Sequence, residues 1–296
     1  MSLLNAWHRF HRRPRWVRWP LKTTLFVLTV ALTLYPKVWL IPRCIERLGN
    51  MNGVLDPQHP ELAQLARQVG RQTPASDLPA RVQDVVYERV PYAFDWDTWG
   101  VMDYLPTVAE VFEKGREDCD GRAVVAASLL RHLGHEAWLV SDIEHVWVVM
   151  REQTPTGPRD HELMTPGRGG KTLVAGETGT QASLSLVMLA NVGRGLALGV
   201  RIFPLGREII ILAMLCALTL HPWSSPLRRA GGCALLFAGL VLVRLAGTPG
   251  QTSHWGHALF YAALISAVTG WILLAIKRRH DTNPSKETPD TAVQAP

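Results

Sequence analysis

A chain of 296 residues is long enough for one or two domains, and 47% hydrophobic residues with a mean hydropathy of +0.06 are an average over unlike parts. The charge divides in the same way: residues 1–42 hold seven Lys/Arg and no acid, residues 43–185 hold 14 basic and 21 acidic residues, and residues 186–296 hold ten basic and four acidic. The basic excess behind a pI near 9.4 thus sits beside apolar segments, which excludes a nucleic-acid-binding face and points to topogenic charge at a lipid bilayer.

In chain order, a basic cytoplasmic leader (1–20) carries Arg9, Arg12, Arg13, Arg15 and Arg18, and Leu21–Ile41 is the first expected span. Tyr35-Pro36-Lys37-Val38-Trp39 offers no small-x-small cleavage site, so the sequence predicts an uncleaved anchor. A soluble domain (43–182) should follow. Leu62, Leu65, Ala66 and Val69 predict a helix over 60–71, and Asp77 with Pro79 starts another. The stretch 91–106 is rich in aromatics and carboxylates without a period and reads as a loop. Trp96, Trp99 and Tyr104 there either line a cleft or pack the loop down. Thr107 and Glu110 form a capping-box pattern for a helix ending at Gly115.

The next helix, about 120–133 with Gly134 beyond it, has Val124, Ala127, Leu130 and Leu133 at helical spacing. Strands are predicted over 136–142, 145–151, 160–165 and 171–175, with a hairpin loop at 153–159. One helix on an antiparallel sheet makes the domain α+β. Residues 183–203 are apolar but interrupted by Asn191, Arg194 and Arg201, and read as an interfacial helix. Three more spans are expected within 204–277 (209–220, 230–243 and 258–276), and then a disordered cytoplasmic tail, 278–296. Four spans place the leader, Arg228-Arg229 and Lys277-Arg278-Arg279 all in the cytoplasm and the soluble domain outside it. Arg244 is the one ionisable residue that falls deep in a span, a thin basis for a transporter.

The cysteines are Cys44, Cys119, Cys216 and Cys233, with no C-x-x-C pair, so neither a disulfide framework nor a cysteine zinc site is expected, nor a Cys44–Cys119 bridge. Cys119 stands at the mouth of the 120–133 helix, where backbone N–H groups favour a thiolate. Asp118 and Asp120 oppose that, so a cationic partner is needed, and His145 at the start of a strand fits the role. A lone cysteine is more often packing and a lone histidine more often a surface residue. Cys119, however, lies ahead of the apolar stripe. Asp95, Asp97, Asp103, Asp118 and Asp120 offer oxygen ligands for Ca²⁺ but lack a calcium-loop spacing, so solvated charge is the first reading and no cofactor is expected.

Asp103-Tyr104-Leu105-Pro106-Thr107, Gly115-Arg116-Glu117-Asp118-Cys119-Asp120-Gly121-Arg122-Ala123, Leu129-Leu130-Arg131-His132-Leu133-Gly134 and His145-Val146-Trp147-Val148 together resemble the transglutaminase-like superfamily. They are similar to segments of bacterial transglutaminase-like cysteine proteinases, over roughly 87–172. The resemblance implies a papain-like core, a Cys-His-Asp triad and acyl transfer or amide hydrolysis on a protein or peptide substrate. Its third triad member lies on the strand after the histidine strand, where this chain reads Asp160-His161-Glu162-Leu163-Met164-Thr165-Pro166. Aligning Thr165-Pro166 with the family's Asp-Pro puts threonine in that place. A shifted register offers Asp160, which we favour, or Glu162. A non-catalytic binding module on a membrane scaffold is the alternative.

Overall fold

The computed structural model describes residues 7, 9–70, 73–74, 76–142, 145–165, 171–176, 179–182, 186–221, 224–248 and 254–276. The expected tail, the first leader residues and Lys277-Arg278-Arg279 lie outside the described residues. Among those described, the fold is mixed helix and antiparallel sheet.

The central element is a helix over Cys119–His132 (labelled α7 in the chain order given below), whose residues 123–130 are all buried. It is covered on one side by α3 (Pro60–Val69), α4 (Leu78–Arg89) and α6 (Val108–Lys114), and on the other by a five-stranded sheet. The sheet consists of β1 (Glu136–Ser141), β2 (Val146–Thr154), β3 (Gly157–Leu163), β4 (Leu173–Ala175) and β5 (Thr180–Ala182), in the order β3-β2-β1-β4-β5 with antiparallel neighbours. Val146–Met150 are buried in succession, so both faces of the first half of β2 are covered. The ends of the core helices follow local chemistry. Thr107 and Glu110 close a capping box on α6, Gly115 turns left-handed at φ 68°, and Gly134 does the same after α7 at φ 90°. The hairpin between β2 and β3 is tighter than the sequence predicts, since Thr154 pairs with Gly157.

Three helices are long and apolar enough to cross a membrane: α1 (Arg15–Leu34), α10 (Pro226–Ala246) and α11 (His254–Ala275). The first begins six residues before the expected anchor and stops at Tyr35, because a residue before proline leaves the helical region and Pro36 has no N–H to give. Residues up to Ile41, which the sequence places in the span, lead instead into α2 (Ile41–Gly49). The expected interfacial helix is α8 (Leu186–Ile202). It meets α9 (Leu205–Thr219) at a bend of 110°, and only with the two taken as one does the count of spans reach four. At that bend Arg244 bonds Glu208 at 2.6 Å and the carbonyls of Val200, Phe203 and Arg201, so its charge is spent on joining helices. The helices α10 and α11 approach closely at Gly232 and Gly270, where an added Cβ on Gly270 would lie 2.7 Å from the Gly232 carbonyl.

Candidate thiol site

The aromatic loop fixes the ground on which the site stands. It includes one short helix, α5 (Asp95–Thr98), where the sequence predicts none. Trp99 and Tyr104 are buried, with Trp99 Nε1 donating to Glu117 and Tyr104 hydroxyl donating to Glu110 at 2.9 Å. Trp96 packs edge-on against Phe203 with ring centres 4.6 Å apart, beneath the Arg207 guanidinium. These aromatics pack the loop onto the helices, the second of the two roles open to them from sequence.

Cys119 is the first residue of α7, after the cap Asp118, whose carboxylate accepts from the Asp120 N–H at 3.1 Å. The Asp118 N–H goes to Glu117 at 3.1 Å. The first-turn N–H groups of Cys119 and Gly121 have no acceptor within the helix and are free in principle for an oxyanion. All four cysteines are free thiols. Burial, then Asp120 and Asp118, push the Cys119 thiol well up, against a smaller lowering from the Val146 backbone. The thiol itself donates to Asp120 Oδ1 at 3.2 Å. α7 packs against β2, whose first residue, Val146, follows His145 in the chain.

His145 is set by two bonds. Its N–H donates to Asp142 Oδ1 at 2.8 Å across the β1–β2 turn, and its Nε2 lies 2.8 Å from the Met164 carbonyl. A carbonyl only accepts, so Nε2 carries the proton and Nδ1 is the basic nitrogen. Met164 is, among the described residues, the one non-glycine with positive φ (59°), a backbone state costing roughly 1 to 3 kcal/mol. It is held by Gln83 of α4, whose side-chain oxygen accepts the Met164 N–H at 2.9 Å.

The expected third members are placed elsewhere. Asp160 pairs with Arg151 in the β2–β3 register, and both its oxygens bind that guanidinium, at 2.9 and 3.2 Å. Six residues of strand separate Arg151 from His145, roughly 20 Å at 3.3 Å per residue, so the structure does not bring Asp160 to the imidazole. Glu162 lies opposite Val149 and bonds Lys171 at 2.9 Å. Continuing the register places Thr165 opposite Val146, nearest of the three, but the atom that holds Nε2 is the backbone oxygen of the preceding residue.

A shell of acids surrounds the thiol. Asp95 is pushed up to about 11 and Glu117 to about 8, each first by burial and then by neighbouring carboxylates. Burial and Asp103 raise Asp118 to about 6 against the Asp120 N–H, and Asp103 and Asp120 are both raised, first by burial. Two groups bring their ligand atoms within 4.8 Å of one another, Asp118 with Cys119 and Asp120, and Asp95 with Glu117 and Asp118. Asp95 Oδ1 is buried with no partner. The carboxylates suit a hard cation such as Ca²⁺, while Asp97 belongs to neither group.

No family model matches the sequence, and no curated protein matches it. The site therefore has to be read from its own geometry. Three contributors escaped the sequence reading. Arg122 stacks between Tyr87 and Tyr92 (4.6 and 5.0 Å) at the rim by Cys119, and its spacing of three from the cysteine on one helix was a usable signal. Gln83 and the Met164 carbonyl carry no signal in residue type, because a carbonyl is present at every position.

Proposed function

We propose that the chain is a membrane-anchored thiol enzyme of transglutaminase-like type, with a papain-like core, acting on peptide or isopeptide amides. The observation that carries this reading is His145, its tautomer fixed by the Met164 carbonyl, standing just ahead of the strand that packs against the buried helix headed by Cys119. In the reaction, His145 Nδ1 takes the Cys119 proton as the sulphur attacks the amide carbon. The first-turn N–H groups receive the oxyanion, and the same nitrogen returns the proton to the leaving amine. Water then releases an acid, or a second amine takes the acyl group from the thioester.

The site would face away from the cytoplasm. The start of α1, the end of α9 and the end of α11 line one cavity at a common end of the helices, which suits basic flanks all on the cytoplasmic side. A second reading, a binding module without chemistry, is favoured by the raised thiol and its two adjoining carboxylates. Capture of Cys119 by a peptidyl aldehyde, mapped by mass spectrometry on the full chain in detergent, separates them. The enzyme reading expects capture that His145→Ala abolishes. Equal labelling of wild type and His145→Ala, or none in either, leaves the binding module.

A further inference from the structure

At the end of the helices remote from Cys119, a cavity of about 770 Å³ opens between α1, α9 and α11. Its polar lining is Arg15, Arg18, Lys22, His11, His221, Thr23 and Thr219, and among the described residues no Asp or Glu lines it. Arg18 Nη1 and Lys22 Nζ approach the two nitrogens of the His11 ring at 3.3 and 3.4 Å. A neutral imidazole has one lone pair to offer and an imidazolium none, so at most one of these contacts is a hydrogen bond. Lys22 also donates to the Leu218 carbonyl, whereas Arg18 Nε is buried without a partner. Three basic side chains thus converge on one space, and no carboxylate among the described residues lines it.

The other walls are apolar: Phe26, Leu215, Leu218, Trp271 and Ala275. Trp19 (55% exposed) and Trp271 (39%) stand at the mouth, the residue type that settles at a bilayer's polar boundary. From Arg15 to Lys22 is seven residues, about 10 Å of helix at the basic end of α1, comparable with a headgroup layer. A soluble anion would use the cations and leave the apolar walls idle. A lipid uses both.

We propose that this cavity binds the phosphate head group of an anionic lipid through Arg15, Arg18 and Lys22, with an acyl chain laid along Phe26 and Trp271. The site is independent of the thiol chemistry and stands or falls without it. It anchors the leader to the helical bundle through a ligand that the bilayer itself supplies.

The test uses the full chain in phosphatidylcholine nanodiscs, titrated with phosphatidylglycerol and read by native mass spectrometry of retained lipid, with thermal melts alongside. Phosphatidylglycerol should be retained in preference to phosphatidylcholine. Arg18→Gln with Lys22→Gln should weaken retention about 25-fold, from roughly fivefold per cation. Thr23→Trp, which fills the cavity and removes no charge, should also release the lipid, and it carries the test if the double variant does not fold. Arg12→Gln with Arg13→Gln, two exposed arginines outside the cavity, should change retention less than twofold. Equal retention of the two lipids, or unchanged retention in Thr23→Trp, overturns the proposal. So does a loss from the Arg12/Arg13 pair as large as that from the cavity pair. Stabilisation by inorganic phosphate without any lipid preference overturns it in favour of a soluble phosphate compound.

Discussion

Gly121 is where the framework of the thiol site is most exposed to a single added carbon. A Cβ at this position would lie 2.4 Å from Glu117 Cγ and 2.7 Å from Glu117 Cβ, while Glu117 itself is fully buried. The carboxylate cannot swing away freely, because Trp99 Nε1 and the Asp118 N–H both donate to it. Gly121→Ala therefore costs about 2 kcal/mol of overpacking. Disturbing those hydrogen bonds costs roughly 2 more, and the better helix propensity of alanine returns about 1. The net, near 3 kcal/mol, should lower the melting temperature of the full chain by about 10 °C, followed by tryptophan fluorescence in detergent. In Glu117→Gly the whole obstacle is gone, Cβ included, so adding Gly121→Ala to it should cost nothing more. A melting temperature for Gly121→Ala at or above wild type would falsify this account. Simple additivity of the two changes within about 0.5 kcal/mol would also refute it, since contacting residues must couple.

Four further outcomes follow from the same coordinates. Gln83→Ala frees the Met164 N–H and should slow aldehyde capture at Cys119 by about tenfold, on the scale of one lost buried hydrogen bond, while Gln83→Glu restores the acceptor and the rate. Because Glu117 is raised from 4.5 to about 8, the folded chain holds a proton that the unfolded chain has released between those values. Its contribution to stability is complete below about pH 4.5 and falls as pH rises, by on the order of 1 kcal/mol per pH unit, until about pH 8. Melts from pH 5 to 8 should show the decline, and a rise would reverse the assignment. Asp120→Asn removes the largest charge acting on the thiol, so Cys119 should alkylate faster at pH 7.5 and its half-maximal pH should move down. Asp160→Asn breaks an exposed, solvent-screened pair and should leave both capture rate and melting temperature near wild type.

The elements that proved legible from sequence are those whose signals are local. Thr107, Glu110, Gly115 and Gly134 mark helix ends by chemistry within one turn, and the apolar stripe of α7 needs only its own period. The anchor was misplaced because hydropathy ignores Pro36 and because Arg15, Arg18 and Lys22 sit in helical turns whose long side chains reach past the apolar layer. The third partner of His145 failed for a different reason. Thr154 opposite Gly157 is a two-residue turn, and counting back along both strands from it puts Thr165 opposite Val146, next to His145, and Asp160 opposite Arg151. That count was available once the turn was known, but a loop assigned to 153–159 hid it. The left-handed Met164 was not available at all, since methionine gives no hint of positive φ.

What decides whether Cys119 is a nucleophile is a contest of magnitudes. The head of a helix favours a thiolate by about 0.3 to 1 kcal/mol, and by up to about 2 when partly buried. Burial and two adjacent carboxylates act the other way and prevail, since the thiol stands well above its ordinary value. A resting thiolate is therefore not part of this site, and activation has to come with the substrate. The thiol proton presently goes to Asp120 Oδ1, so an attack on carbon requires it to be redirected to His145 Nδ1. That transfer costs least when the oxyanion is already met by N–H groups of α7, because the charge leaving sulphur then moves onto preorganised donors. Asp120→Asn separates the two orders of events. If it speeds simple alkylation yet leaves aldehyde capture unchanged, proton transfer to His145 accompanies attack. If it speeds both equally, a free thiolate forms first and the helix-head argument is wrong.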